Sequence, residues 1–181
     1  MRTVRCAVLL ACLATVPQAG RAEEPRMAPT LAFPHAGLSA ALPEGFEPVA
    51  DGDPYLLVRA VRPAEGGQAG LAISLSAYPV GENVTTDNYA DAMAEQLAQS
   101  LAVRDLKVLK RMPLPVAGVT GSAARMSYVF RGVETLAARV YFIRESKNGK
   151  PRVCYVLTVE AAPEQEKALL PTLAAVIQTV S

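Results

Sequence analysis

Few residues in this chain could do chemistry. His35 is its single histidine, so any Ser–His or Cys–His nucleophilic pair has to use it. It stands between Pro34 and Ala36 with no nucleophile motif beside it, and reads as an exposed loop histidine. One histidine and, in the working domain, one cysteine fall short of a zinc site, which needs several nitrogen or sulfur ligands. Carboxylates remain. Asp51-Gly52-Asp53 is the one dense acidic turn, but it lacks the twelve-residue calcium-loop pattern and its terminal Glu. It reads as a solvated turn, with cation binding as the alternative. Asp87 and Asp91 suit the positive end of a helix. Gly66-Gly67-Gln68-Ala69-Gly70 lacks the Lys and Ser/Thr of a phosphate loop, and Gly118-Val119-Thr120-Gly121 leads into a strand; both read as turns. No catalytic, cofactor-binding or metal-ligating residue is assigned on these grounds, and no cofactor is expected.

Two features stay open. Cys154 lies among apolar neighbours in a strand pattern, facing away from Val153 and Tyr155. It reads as a buried inert thiol or, if exposed near Arg152, as one that is reactive or forms an intermolecular disulfide. Arg125, Arg131 and Arg139 fall on two neighbouring strand patterns, with Arg144 further along. They form either a solvated sheet face or a docking surface for an acidic partner or anionic ligand.

The elements that must position these residues follow from periodicity. Leu38–Leu42 reads as a short strand ending at Pro43-Glu44-Gly45-Phe46. Tyr55–Arg62 and Leu71–Ser76 read as a hairpin about Gly66-Gly67. From Thr86 to Val103 the period becomes helical: Thr86 is a candidate cap, and Tyr89, Met93, Leu97 and Leu101 make one apolar stripe. Residues 105–112 alternate again, with Leu106 and Val108 set against Lys107 and Leu109, before a break at Pro113, Pro115 and Gly118. Ala124–Phe130, Leu136–Phe142 and Val153–Val159 alternate as three further strands. Asn148-Gly149 is the strongest hairpin signal among them. Pro163 opens a final helix to Val180, with Leu169, Leu173 and Ile177 inward and a kink or division expected at Pro171. Strands in short-linked series with two single-striped helices predict an α+β domain: an antiparallel sheet of about six to seven strands with two main helices packed on it.

The N-terminus reads as an export signal. Arg2 and Arg5 precede an apolar run from Cys6 to Val16, and the small residues Gly20 and Ala22 precede Glu23-Glu24-Pro25. The run is shorter than the about 20 residues needed to span a bilayer. Cleavage is expected after Ala22; a lipoprotein modified at Cys12 is disfavoured because the apolar run continues past it. The domain organisation expected is a signal peptide at 1–22, a flexible leader at 23–35 and one domain at 36–181. Three of the 18 Lys and Arg residues lie in the signal, leaving 15 against 17 acidic residues, a net charge of about −2. Nothing in that balance marks nucleic acid or anionic lipid as a partner. Cys154 alone remains after cleavage, so no internal disulfide is expected in the oxidising compartment.

Three stretches resemble the PsbP-like fold family, shared by the extrinsic PsbP protein of photosystem II, a Ran-binding import factor and bacterial envelope proteins of the DcrB type. GLSAALPEGFEPV (37–49) is similar to the family's opening strand and Leu-Pro-x-Gly-aromatic turn, although Phe46 stands where Trp is frequent. TTDNYADAMAEQL (85–97) is similar to its first helix. GVTGSAARMSYVF (118–130), LAARVYFI (136–143) and KPRVCYVLTVEAAPEQ (150–165) are similar to its later strands and the entry to its last helix. The resemblance implies a non-enzymatic accessory or binding domain, and transfers no functional residue. The function expected is a secreted or periplasmic, non-catalytic module that binds an envelope protein. The alternatives are a small-ligand or lipid carrier with a cavity beneath the helix at 86–103, and an enzyme working with carboxylates alone.

Overall fold

A computed structural model of the chain describes residues 26–34, 36–63, 70–145 and 151–181. Nine strands and two helices follow in the order β1 (Met27–Phe33), β2 (Leu38–Pro43), β3 (Glu47–Pro48), β4 (Leu56–Arg62), β5 (Leu71–Val80), α1 (Thr86–Gln99), β6 (Val103–Val116), β7 (Val119–Phe130), β8 (Val133–Arg144), β9 (Arg152–Ala161) and α2 (Glu166–Thr179), the last preceded by a 3-10 turn at Pro163–Gln165. The main sheet is antiparallel, ordered β3-β4-β5-β9-β8-β7-β6; β1 and β2 form a separate hairpin. The expected α+β architecture is present, with seven strands in the main sheet. The turns expected at Gly66-Gly67 and Asn148-Gly149 lie outside the described residues, but the strands they would join pair as anticipated: Arg62 opposes Leu71 and Arg144 opposes Val153.

Both faces of the sheet are covered, each by a different layer. Alternation along β5, β8 and β9 sends Leu71, Ile73, Leu75, Val140, Phe142, Tyr155, Leu157 and Val159 to one side, where α2 and the β1–β2 hairpin bury them with Leu169, Leu173 and Val176. The opposite residues, among them Tyr141, Ile143, Cys154 and Val156, pack with Met126 and Tyr128 beneath α1, whose Ala90 and Ala94 allow close approach. The C-terminus is tied in as well: Ser39 and Ser181 exchange both main-chain hydrogen bonds at 3.1 Å, and Ala41 N donates to Thr179 Oγ1 at 2.8 Å.

Five expectations are corrected. The segment read as a leader contains β1, held by pairing from Met27↔Pro43 to Phe33↔Leu38; Pro29 falls in the register shift between Met27 and Thr30, where a missing donor is tolerated. The cap of α1 is Thr85, not Thr86: Asn88 N donates to Thr85 Oγ1 while Thr85 N donates to Asn88 Oδ1, a reciprocal capping box. The helix ends at Gln99, so Leu101 leaves the stripe and stands 101% exposed in the following turn. β6 runs through Pro113 and Pro115 because it is the outermost strand and needs no donor on that side. α2 is continuous through Pro171; Lys167, whose carbonyl loses its partner there, is on the solvent side, so water can satisfy it.

Candidate functional site

The residues weighed for chemistry are mostly engaged in holding the fold. His35 lies outside the described residues. Cys154 is 0% exposed beneath α1, and burial pushes its thiol up to about 12. Arg152, the group positioned to activate it, is committed elsewhere: it binds both Glu145 carboxylate oxygens at 2.9 Å and donates to the Gly81 and Glu82 carbonyls at 2.9 and 2.5 Å. The thiol is therefore inert. The acidic turn is folded on itself: Asp53 N donates to Asp51 Oδ1 at 3.1 Å, Tyr55 N donates to Asp53 Oδ1 at 2.9 Å, and Arg59 meets Asp51 Oδ2 at 3.2 Å. The Asp53 amide, then Arg59, hold the Asp51 carboxyl below its ordinary range. No group of three or more His, Cys, Asp or Glu poised for a metal occurs among the described residues.

The three arginines read as one face are not brought together. Arg125 opposes Ala138, and Arg139 opposes Ala124, so the two side chains leave opposite faces of the sheet. Arg139 lies on the α1 side, 11% exposed, with its guanidinium 3.9 Å from Glu160, which also accepts from the Tyr128 hydroxyl. Burial opposes its charge, but Tyr141, Tyr128 and Glu160 outweigh that and keep it protonated. This is an internal polar network, in which Tyr141 Oη and Arg139 Nε have no hydrogen-bond partner among the described residues. Arg131 sits in the β7–β8 turn at φ 48° with its guanidinium 5.3 Å from the centre of the Phe130 ring. Arg125 remains on the α2 side, ion-paired with Glu166 at the start of α2.

In place of that stripe the structure builds a basic face on β6 and β7. Arg104 opposes Val129, Lys107 opposes Ser127 and Lys110 opposes Arg125, so all four cations point to the α2 side. Val129, Ser127 and Arg125 are spaced two residues apart along β7, which sets successive cations about 7 Å apart and the row at about 13 Å. α2 packs chiefly on β2, β8 and β9 and reaches this row only at Arg125, through Glu166. Arg104, Lys107 and Lys110 are exposed, and no carboxylate among the described residues lies within ion-pairing distance of them.

Sequence reasoning missed this face because Arg104, Lys107 and Lys110 are three apart, a spacing that scatters side chains over both faces of a regular strand. Two bulges, between Arg104 and Lys107 and between Val108 and Lys110, each insert one residue and restore a common face. Asp105, at φ 55°, lies in the first. The near-neutral composition hid the face too: β6 alone carries Arg104, Lys107, Lys110 and Arg111 against Asp105.

Beside the face lies an apolar tip. The Arg131 amide donates to the Ala102 carbonyl at 2.8 Å, holding the β7–β8 turn against the α1–β6 turn. Leu101, Phe130 at 42% and Val133 at 54% exposure project there. Elsewhere, a cleft of about 420 Å³ opens between the first turn of α1 and the β6–β7 strands, lined by Thr86, Asp87, Arg111 and Ser122 among others. It lies beside the N-terminal turn of α1; beneath the helix, Met93, Leu97, Met126 and Tyr141 fill the interior.

No protein-family model matches the chain, and no curated protein matches it by sequence. Solved structures do match in shape. LpqN of Mycobacterium tuberculosis, described as involved in cell envelope biogenesis, aligns over 80% of this chain and 82% of its own at a TM-score of 0.61 and 10% identity. Cyanobacterial PsbP from Synechocystis aligns over 91% and 96% at 0.62 and 8% identity. The Saccharomyces cerevisiae Ran-binding protein Mog1p aligns over 87% and 95% at 0.56 and 8% identity. At these identities the likeness speaks to architecture alone, and the architecture of this chain is the PsbP-like fold.

Proposed function

We propose that this protein is a non-catalytic binding module of the extracytoplasmic compartment, exported through residues 1–22, that docks an acidic protein partner on the β6–β7 face. The observation that carries the reading is the row of exposed Arg104, Lys107 and Lys110, which continues to Arg125 where Glu166 of α2 pairs with it. A row of exposed cations attracts an acidic surface and speeds encounter, and salt weakens it. The weighed side chains point the same way: Cys154 is buried, Asp51 and Asp53 are tied to backbone amides, and Arg139 is enclosed in a core network. The structural relatives include a Ran-binding protein and a protein of envelope biogenesis, which fits a scaffold used for binding. The test is gentle isolation from the host envelope followed by native mass spectrometry, with Lys107→Glu/Lys110→Glu beside the unaltered protein. The reading expects a polypeptide adduct that the reversed variant loses; an adduct retained by both contradicts it.

The cleft at the start of α1 favours a second reading, a small-ligand carrier. A stoichiometric small-molecule mass in the same experiment, lost on blocking the cleft with Ser122→Trp, supports that one instead.

A further inference from the structure

The apolar tip calls for an occupant of a different kind. Leu101 is more exposed than any other large apolar residue described, and Val133 and Phe130 stand with it at one end of the sheet. Exposed apolar clusters of this sort mark contact sites. Leu101 sits in the α1–β6 turn, and Phe130 and Val133 flank the β7–β8 turn, so the three project together from one end of the sheet. A rigid partner would need a matching pocket for each side chain; a fluid bilayer needs none. The flanking groups suit the headgroup layer. Arg131 lies over the Phe130 ring at 5.3 Å, and Arg104 follows Val103 at the start of β6. Arginines beside an aromatic at an apolar tip can reach lipid phosphates while the apolar atoms sit deeper. Lys107 and Lys110 add two cations further along the edge, and Asp105 and Glu134 offset two of the four. The attraction to anionic lipid is accordingly modest, at about fivefold for each uncompensated cation, and insertion of the apolar side chains supplies the rest. Among the described residues no helix is long and apolar enough to cross a membrane; the contact is peripheral, made by turns.

We propose that the Leu101–Phe130–Val133 tip is a peripheral contact for an anionic lipid bilayer, inserting its apolar side chains while Arg104 and Arg131 meet the headgroup phosphates. Arg104 belongs to both sites, but the apolar tip residues and the docking residues Lys107 and Lys110 are distinct and are varied separately, so either assignment can fail alone.

The experiment is flotation of protein purified from its host with vesicles of phosphatidylcholine, with and without about one-third phosphatidylglycerol. Variants are Leu101→Asp/Val133→Asp at the tip, Leu170→Asp on the exposed side of α2, and Lys107→Glu/Lys110→Glu on the face. The proposal expects flotation with the anionic vesicles, weaker flotation with neutral ones, and a loss of tenfold or more in the tip variant, the order expected for exposing apolar side chains again. It expects no change for Leu170→Asp, and for the face variant a loss confined to the anionic vesicles, about 25-fold or more at fivefold per cation, with flotation on neutral vesicles unchanged. Unchanged flotation of the tip variant overturns it, because binding then comes from another part of the chain. Absence of flotation for the unaltered protein overturns it as well. A tip variant that floats normally but loses a protein adduct in native mass spectrometry assigns the tip to a protein interface and also overturns it. Since all three tip side chains are exposed, coincident melting curves of variant and unaltered protein are expected and separate loss of contact from loss of fold.

Discussion

Cys154 offers a quantitative check on the claim that the weighed chemical groups are structural. Its thiol is enclosed between α1 and the sheet and is raised from its ordinary 9.0 to about 12 by burial. Three units remove about a thousandfold of the thiolate present near pH 8. The remaining route to a reagent is opening of the α1 layer, and a domain stable by about 5 kcal/mol or more opens globally no more often than roughly once in several thousand molecules. Both routes predict that Ellman's reagent reacts with the native protein at least about a thousandfold more slowly than with the chain in guanidinium chloride. The assay is absorbance of the released thionitrobenzoate with and without denaturant. A native rate within about tenfold of the denatured one refutes the reasoning: it would mean that the α1 face opens readily, and it would restore thiol chemistry as a function.

Three further outcomes follow from the geometry. A Cβ on Gly121 would lie 2.6 Å from the Tyr141 carbonyl oxygen, a backbone atom of the neighbouring strand, so Gly121→Ala is expected to cost about 1–3 kcal/mol and lower Tm by about 2–10 °C in a thermal melt. Thr85→Ala removes the working cap of α1 and should cost about 1 kcal/mol in urea unfolding, while Thr86→Ala should stay within about 0.5 kcal/mol. Burial raises the Cys154 thiol and the Tyr128, Tyr141 and Tyr155 phenols, so the unfolded chain releases these protons first. Stability should therefore hold up to the thiol's ordinary 9.0 and decline as pH climbs towards the folded-state values, a trend that urea midpoints measured across that range will show or deny.

The sequence made the architecture legible wherever one period ran unbroken. β8 and β9 alternate without interruption, and α1 and α2 carry clear stripes, so the layered α+β arrangement could be read from side-chain spacing. Where the backbone departs from ideal geometry, spacing misled. The helical pattern of α1 extends in sequence to Leu101, but the chain turns at Ser100 to reach β6. Pro113 and Pro115 read as a break because the edge position that tolerates them is a property of the sheet and not of the segment. The basic face was invisible for the same reason: two bulges re-phase β6, and bulges leave little trace in composition. Arg125 and Arg139 were grouped because register decides which residues face together, and register is fixed only when β7 and β8 pair.

The central claim is that the β6–β7 face docks a protein partner, and position-specific photocrosslinking in the native host tests it most directly. A photoreactive side chain at Lys107 is compared with one at Glu95, exposed on the opposite side of the molecule on α1. The account predicts a discrete crosslinked polypeptide of acidic composition at position 107, weakened by added salt, and none at 95. Equal crosslinking at both positions, or a discrete product at 95 alone, would contradict it.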